Sequence, residues 1–362
     1  METEREDPQE CSRWWSQLPN NLQEKALAWL PLEKLCRYCG VCKEWNALFS
    51  SPEFISKHWV AAPPNKKPWL VLQRESQLLD CTAYCSFTNT WKTLSFASLR
   101  QKYDARYYWI HGSAGGLFLA SVCIIYRKHP HDTYEIVYVV YNPVGGTSLQ
   151  LPTIENGAIR AIKIVAGEDN YKVMAIVTSL EDYALRIEIY DSTLRSWRTA
   201  GHAPENLGGP GPEPEMAVLS EDILYWTASD ENSMKSGIAG FNIQNGTSFF
   251  IPFQDENEDE DDSRRVDVLF TCGSRVFAAS SIYNLNGVIK WHVGVVIIWE
   301  IERPNSHERD EIRMREIARM PQFLVEYFQR NSPRYLKFNF EGMKDMVYIR
   351  YKSALGNMLL AL

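Results

Sequence analysis

Eight cysteines and seven histidines are the side chains with which this 362-residue chain could do chemistry beyond packing. Three of the cysteines form Cys36-x-x-Cys39-x-x-Cys42, part of a spacing that holds iron–sulfur clusters. Such a run needs a fourth thiolate, and loops rich in Gly and Pro that let the sulfurs converge. Here the three fall on helical segments, and the next cysteine is Cys81. They are expected to be small buried side chains. Cys81-x-x-x-Cys85 has no second pair and no nearby His, which argues against zinc. His129-Pro-His131, beside Asp132, falls between two β-rich runs and reads as an exposed turn. His58 and His111 stand singly, and no His accompanies a Gly-x-Ser-x-Gly elbow. Gly112-Ser-Ala-Gly115-Gly116 lacks the Lys-Ser/Thr of a phosphate loop and suits a hairpin. Glu181-Asp182 and Glu221-Asp222 fall in turns, so general acid–base roles have no support. These residues predict no catalytic site, no metal and no cofactor.

The elements around the cysteine triplet are more informative than the thiols. Residues 15–55 read WSQLPNNLQEKALAWLPLEKLCRYCGVCKEWNALFSSPEFI. Asn20 or Asn21 is placed to cap a first helix, in which Leu22, Ala26, Leu27, Trp29 and Leu30 recur at helical spacing. Pro31 stops that helix and opens a second, with Leu32, Leu35 and Cys36 as its apolar side and Gly40 as its end. A third runs from about Val41 to Phe49, with Val41, Trp45 and Leu48 on one side. A block of about 40 residues rarely buries enough surface to fold alone, and helices this short are marginal in isolation. Its surplus apolar surface predicts a partner.

The ordered set Leu18-Pro19, Leu22, Leu27, Leu30-Pro31-Leu32, Leu35, Val41-Cys42-Lys43, Trp45-Asn46, Leu48 and Pro52 resembles an F-box. By that resemblance the block docks on a Skp-type adaptor and, through it, on a cullin and a RING subunit. The adaptor-binding residues it implies are Leu18, Pro19, Leu22, Leu27, Leu30, Pro31, Leu32, Leu35, Val41, Cys42 and Trp45. The alternative is a helical cap packed on its own domain.

The rest of the chain changes character. Residues 1–12 read as a disordered tail, 13–60 as the F-box domain, 61–68 (AAPPNKKP) as a linker, and 69–362 as one β-rich domain. Within it an element recurs: an aromatic, a polar turn, then Trp or Ser and a strand. Its copies are YCSFTNTW (84–91), YNPVGGTSLQLP (141–152), YDSTLRSW (190–197) and FNIQNGTSFFIP (241–252), with a looser one from Trp299. A second element, a turn and a strand, centres on Phe118, Met174, Tyr225, Phe277 and Tyr348. Both series step by about 50–60 residues, near the length of a four-stranded propeller blade. Six blades are expected, with five or seven as the alternatives. Trp69–Phe96 reads as the first blade; the last looks short, and Trp69–Leu72 is the alternative candidate to complete it.

YNPVGGTSLQLP and IEIYDSTLRSWRTAG are similar to the kelch-like, F-box-associated propellers of plant F-box proteins. Where kelch blades carry Gly-Gly, this chain has Ala120-Ser121, Thr227-Ala228 and Ala279-Ser280. Two insertions stand out. Asp255–Asp262 (DENEDEDD) is a self-repelling, solvated acidic loop, and Pro304–Arg319 reads as a surface loop. The expected fold is therefore multidomain: a small all-α F-box, then an all-β, six-bladed, kelch-like propeller.

A net charge of −7 argues against nucleic acid as a partner. The longest apolar run, Val293–Trp299, is too short to span a membrane. The acidic start METEREDPQE is unlike a signal peptide, and scattered cysteines fit a reducing compartment, the cytoplasm or nucleus. The expected function is that of a substrate receptor in an SCF-type (Skp–cullin–F-box) ubiquitin ligase, non-catalytic itself, its propeller holding an unidentified target protein. The alternatives are a propeller hydrolase or oxidase with a helical cap, and an adaptor-bound scaffold outside a ligase.

Overall fold

A computed structural model describes residues 15, 17–30, 34–35, 38–51, 54, 69–72, 80–85, 90–104, 107–126, 133–143, 145–167, 170–208, 217–230, 232–233, 235–252, 264–272, 274–285, 291–302, 313–321, 323, 338–343, 346–353 and 356–361. The tail at 1–12, Pro31, Leu32, Cys36, His58, the 61–68 linker, His129, His131 and the acidic loop at 255–262 lie outside the described residues. The chain divides into two compact units. The first holds 1–151, 164–172 and 191–194; the second holds 152–163, 173–190 and 195–362.

The first unit begins with α1 (Asn20–Ala28) and α2 (Lys43–Ser50). Two sheets follow: β1 (Trp69–Leu72), β2 (Asp80–Cys85) and β3 (Thr90–Ser95), then β4 (Tyr107–Ala114), β5 (Leu117–Tyr126), β6 (Thr133–Asn142) and β7 (Thr147–Gln150). Between them lies α3 (Ala97–Tyr103), a helix that the sequence reading missed. Its seven residues bury only Leu99, too few for a helical period to register. The core of this unit gathers Cys81, Phe96, Leu99, Tyr108, Phe118, Ala120, Val122 and Tyr141. Phe96 is its hub, stacked on Tyr108 at 5.4 Å, edge-on to Phe118 at 5.5 Å and tilted against Tyr141 at 4.9 Å. Aromatic pairs in these geometries add to the free energy of their burial.

Beyond it the chain keeps the same habit. One sheet contains β8 (Gly157–Ala166), β9 (Tyr171–Ser179), β10 (Leu185–Asp191) and β11 (Ser196–His202). The next holds β12 (Ala217–Ser220), β13 (Ile223–Ser229), β14 (Ser236–Asn242) and β15 (Ser248–Pro252). The fifth is β16 (Arg264–Cys272), β17 (Arg275–Leu285), β18 (Trp291–Glu302) and β19 (Arg313–Arg319), and the sixth β20 (Phe338–Met343), β21 (Met346–Ser353) and β22 (Gly356–Ala361). In every sheet each strand pairs with its sequence neighbour. The middle strands are buried on both faces: β9 is buried at seven of its nine positions, and β13 and β14 at five of seven each. A sheet covered on one side would alternate. Tyr225 and Ile238 of the fourth sheet share one core with Leu269, Val276, Ala278 and Ile301 of the fifth, so these sheets stack face to face. The first strands β12, β16 and β20 run as successive neighbours. Stacked four-stranded meanders with adjacent first strands are a β-propeller arrangement.

The repeat is legible in the register. Phe118, Met174, Tyr225, Phe277 and Tyr348 lie on β5, β9, β13, β17 and β21, the second strand of each of these sheets. Among the described residues there are six sheets, as the repeat predicts. Trp69–Leu72 pairs with β2, from Trp69 opposite Cys85 to Leu72 opposite Thr82, as the reading of 69–96 as one blade expects; among the described residues it is not part of the last sheet. One expectation needs correction: Arg313–Arg319 is not a loop but the outer strand β19, with Arg315 opposite Glu300 and Met314 opposite Ile301. An outermost strand shows a face to water, so it lacks an apolar pattern. Charge pairing substitutes for it: Arg315 bridges to Glu300 at 2.8 Å, and Arg275 reaches the same carboxylate from β17. The hydrogen bond from Arg275, with the positive charges of Arg275 and Arg315, holds Glu300 below the usual carboxylate range despite its burial.

Candidate functional site

Among the described residues the helical region carries four exposed large apolar side chains, Leu18, Leu22, Trp29 and Val41, on a short stretch of chain; others, such as Ile136, Leu180 and Leu194, stand on or beside the sheets. Its helices are held by local devices. Pro19 rather than Asn20 or Asn21 is the N-cap of α1, and it offers no side-chain cap. Its carbonyl opens the helix, accepting from the N–H of Leu22 at 2.8 Å and of Gln23 at 3.1 Å. Gln23 ties the preceding chain down, its Nε2 donating to the carbonyls of Leu18 at 2.8 Å and Trp15 at 3.1 Å. The third helix of the sequence reading starts two residues later than expected, at Lys43, because Cys42 is its N-cap: the Trp45 N–H donates to Cys42 Sγ at 3.4 Å. A thiol is a weak acceptor, and the first turn adds Glu44, which suits the positive end of a helix. The backbone N–H of Glu44, with the Cys42 side chain, holds its carboxyl below the ordinary range. Cys39 and Cys42 are half-buried rather than buried, and partial burial pushes the Cys39 thiol up.

Inside the region a line of rings does the packing. Trp15 and Tyr38 each lie 5.8 Å from Trp45, Trp45 lies 5.9 Å from Phe49, and Phe49 lies 5.2 Å from Phe54. Leu27, Ala28, Leu35, Phe49 and Phe54 are buried. Leu27 and Leu35, expected at the docking surface or in the core, are in the core. Leu30, Cys42 and Trp45 are half-buried, and Pro19 is exposed. Leu18, Leu22 and Val41 stand out at 38%, 45% and 62% exposure. Trp29, at the C-cap of α1, is 61% exposed, although its spacing assigned it to the apolar side of the helix. Trp29 and Phe49 are the two residues the sequence reading undervalued. A Trp immediately before Leu-Pro, at a helix end, was the signal for the first. Nothing local marks the second.

Elsewhere, the described side chains singled out for chemistry lie in the sheets and their turns. His111 Nε2 lies 2.8 Å from Ser121 Oγ, a distance suited to a nucleophile and its base. Ser121 is buried and His111 half-buried. His111 is the extra residue of a β-bulge between Ile110 and Gly112, and the bond ties that bulge to β5. Cys81 is buried in the core of the first unit. Glu181 and Asp182 do occupy a turn, where Ser179 and the backbone hold the Asp182 carboxyl low. Among the described residues no group of three His, Cys, Asp or Glu could hold a metal ion, and no helix is long and apolar enough to cross a membrane.

Residues 15–57 match the F-box domain family. A putative F-box protein of Arabidopsis thaliana is 25% identical over 200 residues, 53% of this chain and 52% of the relative. A putative F-box/kelch-repeat protein of the same plant is 26% identical over 224 residues, 60% of this chain and 54% of the relative. The chain thus spans about half the length of these relatives. Among solved structures, the β-propeller domain of the trilobed protease from Pyrococcus furiosus aligns with a TM-score of 0.37 and 13% identity, over 69% of this chain and 80% of that one. The chain thus carries an F-box domain at residues 15–57, followed by β-propeller sheets, and is similar to F-box and F-box/kelch-repeat proteins of Arabidopsis thaliana.

Proposed function

We propose that this chain is a substrate receptor of an SCF-type ubiquitin ligase, a non-catalytic subunit acting in the cytoplasm or nucleus. The observation that carries the reading is the exposed apolar set Leu18, Pro19, Leu22, Trp29 and Val41 on a region matched to the F-box family. Apolar side chains left in water on so small a module are the mark of an interaction surface. In this reading those residues, with Leu30, Cys42 and Trp45 beside them, face a Skp-type adaptor, and Leu27 and Leu35 support the helices from inside; Pro31 and Leu32 belong to the same expected docking set. The adaptor links the chain to a cullin and a RING subunit. The F-box occupies 13–60, a linker 61–68, and a kelch-like propeller from 69 onward binds the target. The chain's contribution to ubiquitin transfer is proximity: it raises the effective concentration of target lysines near the conjugating enzyme.

The test is L22D combined with V41D, both at exposed positions where surface substitutions usually alter stability by no more than about 0.5 kcal/mol. Co-expressed with a Skp-type adaptor, the wild-type chain is expected to co-purify with it, and the double variant to emerge folded but alone. A double variant that retains the adaptor as the wild type does would refute the docking face.

A further inference from the structure

Three copies of the aromatic–turn–strand element can be compared side by side. They begin at Tyr141, Tyr190 and Phe241. The sixth position is left-handed in all three, with φ of +64° at Gly146, +53° at Arg195 and +71° at Gly246. The second position is Asn142, Asp191 or Asn242, and in each its Oδ1 accepts a backbone N–H of the turn. Asn142 takes it from Gly145 at 3.3 Å, Asp191 from Thr193 at 2.8 Å, and Asn242 from Gln244 at 2.9 Å. The local turn is therefore one design used three times.

The first copy departs from it at the places that face α2. A helix leaves its last carbonyls without intrahelical partners. At the end of α2 those carbonyls are met from ninety residues downstream: Asn142 Nδ2 donates to the Phe49 carbonyl at 3.0 Å, and Thr147 Oγ1 to the Ser50 carbonyl at 3.2 Å. Asn142 is 2% exposed. The fifth position is Gly145, where the other copies have Leu194 and Asn245. A Cβ on Gly145 would sit 2.6 Å from Ser50 Oγ and 2.7 Å from Ser50 Cα, closer than real Cβ atoms come. The φ of Gly145 is not in the left-handed region, so it is this approach that calls for glycine. Lys102 of α3 closes the flank, its Nζ donating to the Ser148 carbonyl at 2.7 Å.

We infer that the turn at 141–148 is the seat of the F-box, and that Asn142, Gly145 and Thr147 are positioning residues that fix α2 rigidly to the second sheet. This rests on the receptor reading for its consequence. An adaptor held by the helices and a target held by the second sheet would then face each other at one fixed attitude, which is what delivery of a lysine requires.

The other copies supply the variants. N142D keeps the turn's acceptor, as Asp191 does, but has no N–H for the Phe49 carbonyl. G145N introduces the residue found at position 245 and collides with Ser50. T147V removes only the hydroxyl and is the milder control should either fail to fold. Spin labels on non-canonical residues at the exposed positions 25 (α1) and 113 (β4) of the full chain report the attitude of the helices. A single narrow distance is expected for the wild type, and a broadened distribution for N142D and G145N with sheet melting unchanged. Distributions as narrow as the wild type's would overturn the seat. The same chains, bound to a Skp-type adaptor and cullin–RING, are then ubiquitinated in vitro and the modified lysines of the first unit mapped, Lys102 of α3 among them. Sites that shift or spread in the variants, at unchanged adaptor binding, support positioning; unchanged sites overturn it. If the wild type binds no adaptor, the receptor reading fails, and the distance measurement still decides the seat.

Discussion

The helical region and the sheets solve the burial problem in opposite ways. In the sheets the middle strands are covered on both faces by their neighbours, so β13 and β14 are buried along nearly their whole length. In the helical region five described side chains lie inside, while Leu22, Trp29 and Val41 stand in water. The sheets cover their middle strands through repetition, and leave apolar side chains such as Ile136, Leu180 and Leu194 exposed toward strand ends and at turns. The helices depend on a row of rings and on carbonyl caps supplied by the 141–148 turn, and they keep apolar surface in reserve. The difference teaches that exposure here is not poor packing. A region that packs Phe49 to 0% exposure could have covered Leu22 as well.

Substitutions at matched positions test that contrast. The largest effect is expected for F49A, which removes the ring between Trp45 and Phe54; truncating a buried Phe costs about 3–5 kcal/mol. The helical circular-dichroism signal should melt first and separately, with the sheets intact. Y225A removes a fully buried ring from the core between the fourth and fifth sheets at a similar local cost of about 3–5 kcal/mol. Its prediction is the reverse, early loss of sheet structure in denaturant with the helices holding on. A shared midpoint in both variants would erase the distinction.

Smaller effects sharpen it. C42A should cost α2 less than the about 1 kcal/mol typical of a hydroxyl or carboxylate cap, and C42S should stabilise it relative to both, because a hydroxyl is a better acceptor than a thiol. Helical melting temperature reads this out. On the sheet side E300Q loses the pairing with Arg275 and Arg315. Both arginines are more than half exposed, so water screens the pairs and the loss is at most about 1 kcal/mol. The folded carboxyl titrates below its ordinary value, so its stabilisation is present above the usual carboxylate range and vanishes as pH falls through the lowered value. Wild type and E300Q should therefore differ in urea midpoint at neutral pH and converge in acid. A gap that persists at low pH would mean that packing, not charge, is what Gln disturbs.

What local spacing encodes, the chain announces. The F-box set from Leu18 to Pro52 and the repeat that places Phe118, Met174, Tyr225, Phe277 and Tyr348 on equivalent strands are carried by residues a few positions apart. Elements with little apolar content stayed hidden. The strand β19 is one, since its register is set by arginines opposite glutamates, and α3 is another. The sequence by itself determined that there would be a helical block with surplus apolar surface and a β domain repeating about every 50–60 residues, and the described structure has six sheets. Only the tertiary structure decided which leucines are inside, since Leu22 and Leu27 belong to one helical pattern yet one is 45% exposed and the other 3%. It also decided that Gly145, one glycine among 20, is where Ser50 comes to rest. The reason is physical. Spacing along a helix or strand fixes which side chains share a face, but what covers that face comes from residues ninety positions away, and no local pattern contains them.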